Sequence, residues 1–240
     1  MSASLSVDRD GDCWVFTLNR PEKRNALDAE LVEALISAVE QAHATNPSLL
    51  VFRASGKNFC AGFDFSGFQE LSEADLLWRF VRIEQLLQML HSSPVLTVAL
   101  AHGHNFGAGV DLIASCKHRI SDSQATFRMP GLKFGLVLGT RRFASLVGAE
   151  RARQILQATK TLNATQALEV GLLSEVVEPD LWEAALKRQK EVLDQLTPQA
   201  RRSLYQVLRH DSDDSDLADL VRSVVNPGLK ERIAKYRTSD

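Results

Sequence analysis

The stretch HGHNFGAGVDL (His102–Leu112) decides how this chain is read. It follows an apolar run, VLTVALA, whose pattern predicts a buried strand. It then leads through Gly107-Ala108-Gly109 into VDLIASC, which is helical by spacing. A turn of small residues into a helix start exposes backbone N–H groups that no carbonyl satisfies. The helix dipole makes such a spot attractive to negative charge. A second segment, KNFCAGFD (Lys57–Asp64), has the same character and follows another short apolar run, Leu49 to Phe52. One N–H from each segment could converge on a single developing oxyanion. Tight turns that use glycine for positive φ would give the same composition, so residue types alone leave both readings open.

Around these segments, strand and helix alternate. CWVFTLNR (Cys13–Arg20) reads as the first strand, with Trp14, Phe16 and Leu18 alternating with smaller or polar residues. Asp28 is a suitable N-cap for a helix to about Thr45, with Leu31, Leu35 and Val39 on one face and Asn46-Pro47 as its stop. The stretch from Ser55 to Phe68 reads as a loop, 73–91 as a helix, and Arg119 to Phe127 as strand-like. From Gly148 onward helices are predicted over 148–158, 164–170, 180–195, 198–209 and 215–225. They are interrupted by the short apolar run Leu172 to Val177 and the polar stretch HDSDDSD. The pattern is α/β with a helical C-terminal layer.

The chain has 240 residues, 45% of them hydrophobic and 24% charged, which suits a globular protein with a large core. A net charge of -2 with no basic block argues against general nucleic-acid binding. Three cysteines, Cys13, Cys60 and Cys116, give no disulfide framework and suit a reducing compartment. The N-terminal residues lack an apolar signal region and no long apolar run occurs, so the expectation is a cytoplasmic protein without membrane contact. There is no G-x-S-x-G nucleophile elbow, no P-loop, no G-x-G-x-x-G fingerprint and no C-x-x-C pair. His102 and His104 form H-x-H, but no carboxylate or cysteine partners can be placed beside them, so no metal is expected.

Three segments in order, NRPEKRNAL (Asn19–Leu27), FCAGFD (Phe59–Asp64) and HGHNFGAGVDL, resemble the crotonase, or enoyl-CoA hydratase/isomerase, superfamily. The likeness runs from about residue 5 to 178, and PGLKERIAKYR near the end is a weaker version of the family's C-terminus. The resemblance implies a ββα spiral core over 1–180 and a helical trimerisation region over 181–240. It implies a homotrimer or dimer of trimers, an acyl-CoA thioester substrate, and no cofactor beyond the coenzyme A of that substrate. By residue matching, the thioester oxygen is gripped by the backbone N–H groups of Phe63 and Ala108. Ala108 stands where a glycine is usual; it keeps the N–H if its φ stays negative. Arg24 and Lys235 match phosphate contacts, and the backbone near Ala26, Ala61 and Asp64 matches the adenine side. Ser66 stands where members often have a basic residue.

Hydratases of this superfamily use two glutamates on one water, one donating while the other accepts. Here the first position is Asp111 and the second is Gly131, and glycine transfers no proton. No Asp or Glu occurs from Ser123 to Ala149 to replace it, and Gly135 to Thr140 is shorter than usual. GVDL is similar to the dienoyl-CoA isomerase branch, but that branch also needs acidic residues absent here. Asp64, His104 and Arg128 are further groups that could face the acyl chamber, with Phe63, Phe65 and Phe68 as an apolar wall. An isomerase, decarboxylase or hydrolase-like reaction is therefore expected. The alternatives are an enoyl-CoA hydratase with a rearranged acid/base and a non-catalytic acyl-CoA binder. RNA binding, known in one branch through a lysine-rich helix, is disfavoured because the Asp28 to Thr45 segment contains no Lys or Arg.

Overall fold

The computed structural model describes residues 4–209 and 211–239. The first hairpin joins β1 (Leu5–Asp10) antiparallel to β2 (Cys13–Leu18). The sequence reading began at Cys13 and missed β1. That strand carries an exposed, polar outer half, and an edge strand of that kind lacks the alternation that betrays its neighbour. α1 (Ala29–Ala44) follows, capped as predicted by Asp28, whose carboxylate accepts the Leu31 N–H at 2.8 Å. β3 (Leu49–Ala54), α2 (Glu73–His91) and β4 (Leu96–Ala101) come next. α2 starts at a capping box between Ser72 and Asp75.

β5 (His104–Phe106) and α3 (Ala108–Ser115) occupy the deciding stretch. The strand-like run expected from Arg119 to Phe127 is two strands in different sheets, β6 (His118–Ser121) and β7 (Thr126–Arg128). A turn separates them, in which the Gln124 N–H donates to the Asp122 side chain at 3.1 Å. α4 (Thr140–Val147), which the sequence reading did not see, has the glycine Gly139 in place of a capping side chain. α5 (Ala149–Ala158), β8 (Leu162–Asn163), α6 (Ala164–Glu169) and β9 (Glu175–Val176) complete the core. The last four helices are α7 (Trp182–Leu193), α8 (Pro198–Leu208), α9 (Asp213–Val224) and α10 (Leu229–Ser239).

The main sheet runs β1-β2-β3-β4-β6-β9, parallel after the first hairpin; β5, β7 and β8 form a second, small sheet. Strand alternation divides the main sheet's residues between two apolar layers. Phe16, Leu50, Phe52 and Ala99 join the large core that also takes in α1, α2 and α3. Val51, Val98 and Ile120 face a smaller layer shared with Ala185 and Leu193 of α7. Both faces are covered, which explains why Leu49 to Phe52 is one unbroken apolar run. The two glycine-containing segments leave the C-terminal ends of β3 and β4. That is where open α/β sheets characteristically place their ligands.

Candidate active site

NRPEKRNAL acts as a buttress. Pro21 opens a short 3-10 turn, and Arg24 and Asn25 follow it with φ of 51° and 53°. The fully buried Asn25 side chain holds this bend. It accepts the Arg20 N–H at 2.7 Å and donates to the carbonyls of Ser55 and Asn58, both at 2.8 Å. The next residue pair aligns the first candidate donor. Leu27 forms a parallel bridge with Phe63. The Leu27 N–H goes to Gly62 O at 2.7 Å, and its carbonyl receives the Asp64 N–H at 3.1 Å. In such a pairing the bridged residue's own N–H points the other way. No protein acceptor takes the Phe63 N–H among the described residues.

The second donor comes from the start of α3. Gly107 has φ 47° and ψ -121°, a conformation open to glycine, and its carbonyl accepts from Val110 and Asp111. Ala108, the first residue of the helix, has no positive φ, and its N–H likewise meets no protein acceptor. The alanine therefore preserves the donor, with the unusual torsion carried by its neighbour. The two segments touch: a methyl group built on Gly62 would lie 2.4 Å from Phe106 O and 3.3 Å from Ala108 N. One built on Gly109 would lie 2.2 Å from Cys60 O. Glycine at both positions is what lets the main chains approach.

Both segments line a cavity of about 360 Å³, within the size range of small-molecule sites. Its walls are mainly apolar, including Phe63, Phe65, Phe80, Phe134 and Leu138. Phe63 stacks on Phe80 at 4.4 Å between centroids, and the Arg79 guanidinium sits 4.5 Å from the Phe63 ring. Arg79 also donates to Asp64 O at 3.2 Å, so α2 grips the loop from behind. Asp111 is the one carboxylate residue lining the cavity among the described residues. It is 3% exposed, and its Oδ1 is buried with no hydrogen-bond partner. Burial pushes its carboxyl well above the usual carboxylate range; Arg142 pulls it down and Glu84 pushes it up, both by less. Being near a helix start would lower it, but here desolvation outweighs that effect.

The sequence-predicted residues fall into two groups. Arg24, Ala61, Phe63, Ala108, Asp111 and Gly131 line this cavity, as does Arg128. Arg24 is exposed, whereas Ala61 gives its N–H to the Arg24 carbonyl at 3.0 Å. Ala26, Asp64, His104 and Lys235 do not line it. The Ala26 carbonyl accepts from Arg20 at 2.5 Å. The Asp64 carboxylate pairs with the same arginine at 3.0 Å and accepts the Ser66 N–H at 2.9 Å. Those contacts hold its carboxyl below the usual range against the opposing effect of burial. His104 is exposed and bonds Thr126 at 2.8 Å. Phe68 packs behind Phe65 in the core, with ring centroids 6.3 Å apart. Cys60 is buried in the core and its thiol is pushed up to about 12, as suits a packing role.

Sequence reasoning missed Tyr236 and Thr140, which also line the cavity. Tyr236 arrives on α10, which folds back over the site: its ring lies 5.2 Å from that of Phe134. Arg232 ties α10 down by donating to Phe134 O at 3.0 Å. The KYR of the C-terminal segment was a signal for this helix, but it drew the eye to Lys235, the exposed neighbour of the residue that faces inward. Among the described residues there is no cluster of three or more His, Cys, Asp or Glu able to hold a metal ion. No helix among them is long and apolar enough to cross a membrane.

The architecture, with two glycine-containing segments meeting over an apolar chamber, is that of the crotonase fold. The enoyl-CoA hydratase/isomerase family model matches residues 9–223, and the chain belongs to that family of enzymes. A solved structure from Bordetella parapertussis, described as an enoyl-CoA hydratase/isomerase, is 53% identical, covers 98% of each chain and superposes with a TM-score of 0.96. A Mycobacterium tuberculosis protein described as probable enoyl-CoA hydratase echA6 is 34% identical over 71% of this chain and 71% of its own length. The ethylmalonyl-CoA decarboxylase of Mus musculus is 28% identical over 79% of this chain and 62% of its own length. The relatives thus span hydratases and a decarboxylase.

Proposed function

We propose that this chain binds an acyl-CoA thioester with its carbonyl oxygen between the N–H groups of Phe63 and Ala108. It carries out enolate chemistry there, with Asp111 as the one proton-transferring carboxylate. The observation that carries this reading is a pairing of positions: Asp111 lines the cavity, and Gly131 lines it where a hydratase has its second glutamate. Arg24, exposed at the cavity, is placed for the phosphates of coenzyme A. The family's trimeric assembly is part of the same proposal.

A buried carboxyl with a raised proton affinity starts the reaction as an acid. Isomerisation needs a base first; decarboxylation does not. In an acyl-CoA bearing a carboxylate on Cα, the Cα–carboxylate bond breaks and carbon dioxide leaves. The electron pair moves into the thioester enolate, whose oxygen the two N–H groups stabilise. Asp111 then delivers its proton to Cα and recovers it from solvent. A malonyl-type thioester is the substrate class this order favours.

The test is a three-way assay on pure protein: carbon dioxide release from an alkylmalonyl-CoA, double-bond migration in an enoyl-CoA, and hydration of crotonyl-CoA. Carbon dioxide release that exceeds the other two activities and falls in Asp111→Asn is expected. Crotonyl-CoA hydration near the enzyme median of about 10 s⁻¹ would reject the reading in favour of a rearranged hydratase. Calorimetric binding of thioesters with no turnover in any assay would make the protein a non-catalytic acyl-CoA binder.

A further inference from the structure

A buried ionic cluster joins α2, α4 and α9 through Glu84, Arg142 and Asp216, none of which lines the cavity. Arg142 of α4 is its centre, with a side chain 2% exposed. Its Nη2 donates to Glu84 Oε2 at 2.5 Å and its Nη1 to Glu84 Oε1 at 2.9 Å. Nη1 also reaches Asp216 Oδ2 of α9 at 3.2 Å. Glu84, on α2, is itself fully buried and accepts a third N–H from Gln88 at 2.9 Å. Three N–H donors and no acceptor for a carboxyl proton keep Glu84 ionised, although burial pushes it up. Those two carboxylates hold Arg142 charged. Arg141, half-exposed, pairs with the other oxygen of Asp216 at 2.7 Å and with Asp219.

Three buried atoms in this region have no hydrogen-bond partner: Nε of Arg142, Oδ1 of Asp111 and Oδ1 of Asp213. Arg142 is the nearby cation that would draw Asp111 into its charged form, and Glu84 is the nearby anion that opposes it. Arg142 and Arg141 are balanced by Glu84 and Asp216 when Asp111 is neutral. Ionising Asp111 adds a buried anion beside a cation, Arg142, that is already engaged by Glu84 and Asp216. A buried ion pair contributes little net stability over apolar packing, so stability alone does not account for the cluster. The other charged or titratable groups to consider are Arg24, Arg128 and Tyr236, which line the same cavity as Asp111, and Asp213 on α9, which interacts with Arg142.

We propose that Glu84 is a positioning residue for proton transfer: by holding Arg142 from the far side it denies that cation to Asp111 and keeps the Asp111 carboxyl protonated at the start of each turnover. This rests on Asp111 being the proton-transferring group of the site.

Two readouts test it on the full-length protein. The infrared carbonyl band of protonated Asp111, assigned by its loss in Asp111→Asn, is titrated against pH without any substrate. The pH profile of carbon dioxide release from an alkylmalonyl-CoA is followed alongside. In Glu84→Gln both midpoints are expected to move to lower pH by about one unit, a tenfold change in the ionisation constant. Asp216→Asn should move them the same way by less, because Asp216 divides its oxygens between two arginines. An unmoved or raised midpoint in folded Glu84→Gln overturns the proposal; if that variant does not fold, the same result in Asp216→Asn does so. Carbon dioxide release that survives undiminished in Asp111→Asn defeats the reading of the site itself, whatever the infrared titration of Glu84→Gln shows.

Discussion

The carboxylate of Asp111 lies against the α-carbon of Gly139: a methyl group built on that glycine would fall 1.9 Å from Oδ1. Gly139 also has φ 62° and caps α4, which carries Arg142 in its first turn. Gly139→Ala therefore has to displace the carboxylate and adopt a strained torsion at once. The expected outcome is a loss of turnover close to that of Asp111→Asn. The thermal transition of the variant, measured in parallel, separates the two effects. A folded Gly139→Ala with unchanged turnover would mean that the position of Asp111 does not matter.

Ala108→Pro removes a single donor. Proline is favoured at the first position of a helix, where its fixed φ suits the backbone and its missing N–H is no loss to the helix. At Ala108 that N–H meets no protein acceptor, so its removal should cost the fold little. In an oxyanion hole it should cost about 2.7–4 kcal/mol in the transition state, or about 10²–10³ in kcat. The check is turnover against the circular dichroism and melting curve of the same variant. Full activity would show that this N–H does not receive the thioester oxygen.

The two segments were legible from sequence because they are local: a glycine-rich turn between an apolar strand and a helix marks where unpaired N–H groups can appear. Phe63 and Ala108 as the donors came from the resemblance, since residue types alone left plain turns equally open. Periodicity likewise foretold α1 and α2, and Asp28 was legible as the cap of α1; the Ser72 cap of α2 emerges only in the fold. What stayed hidden depends on contacts between distant residues. Arg142 and Glu84 lie 58 residues apart, and nothing local distinguishes either from a surface charge. Tyr236 enters the cavity only because α10 folds back over Phe134. The tension at Asp111 was visible as a competition between helix start and burial, but its outcome depends on how completely the folded chain encloses the side chain.

Gly131→Glu tests the missing carboxylate. Gly131 is not among the residues of positive φ, so the backbone accepts a side chain. A Cβ there would sit 3.1 Å from Leu136 O, close enough that the carbonyl must yield by a few tenths of an ångström. The new carboxyl would share the cavity with Asp111, giving the paired acid and base that hydration uses. Crotonyl-CoA hydration should appear or rise in the variant. No gain in a folded protein would mean that the shortened segment before Thr140, and not only the missing carboxylate, excludes the water.

Burying Asp111 has a consequence for stability that depends on pH. Its folded-state proton affinity is raised chiefly by desolvation, so the folded protein holds that proton at pH values where the unfolded chain has lost it. The stability this group contributes is complete below the unfolded carboxylate range, near pH 4, and is lost progressively as pH rises towards the raised folded value. Asp111→Asn keeps the shape and removes the titration. The variant should melt higher than the wild-type protein at neutral pH, and the gap should widen with pH until the folded carboxyl has ionised. Melting curves of both proteins across pH 4 to 9 measure it, and a gap that is constant or shrinks as pH rises would show that Asp111 is not held protonated by its surroundings. A variant that gains stability while losing turnover is the expected signature of a side chain kept for chemistry at the expense of the fold.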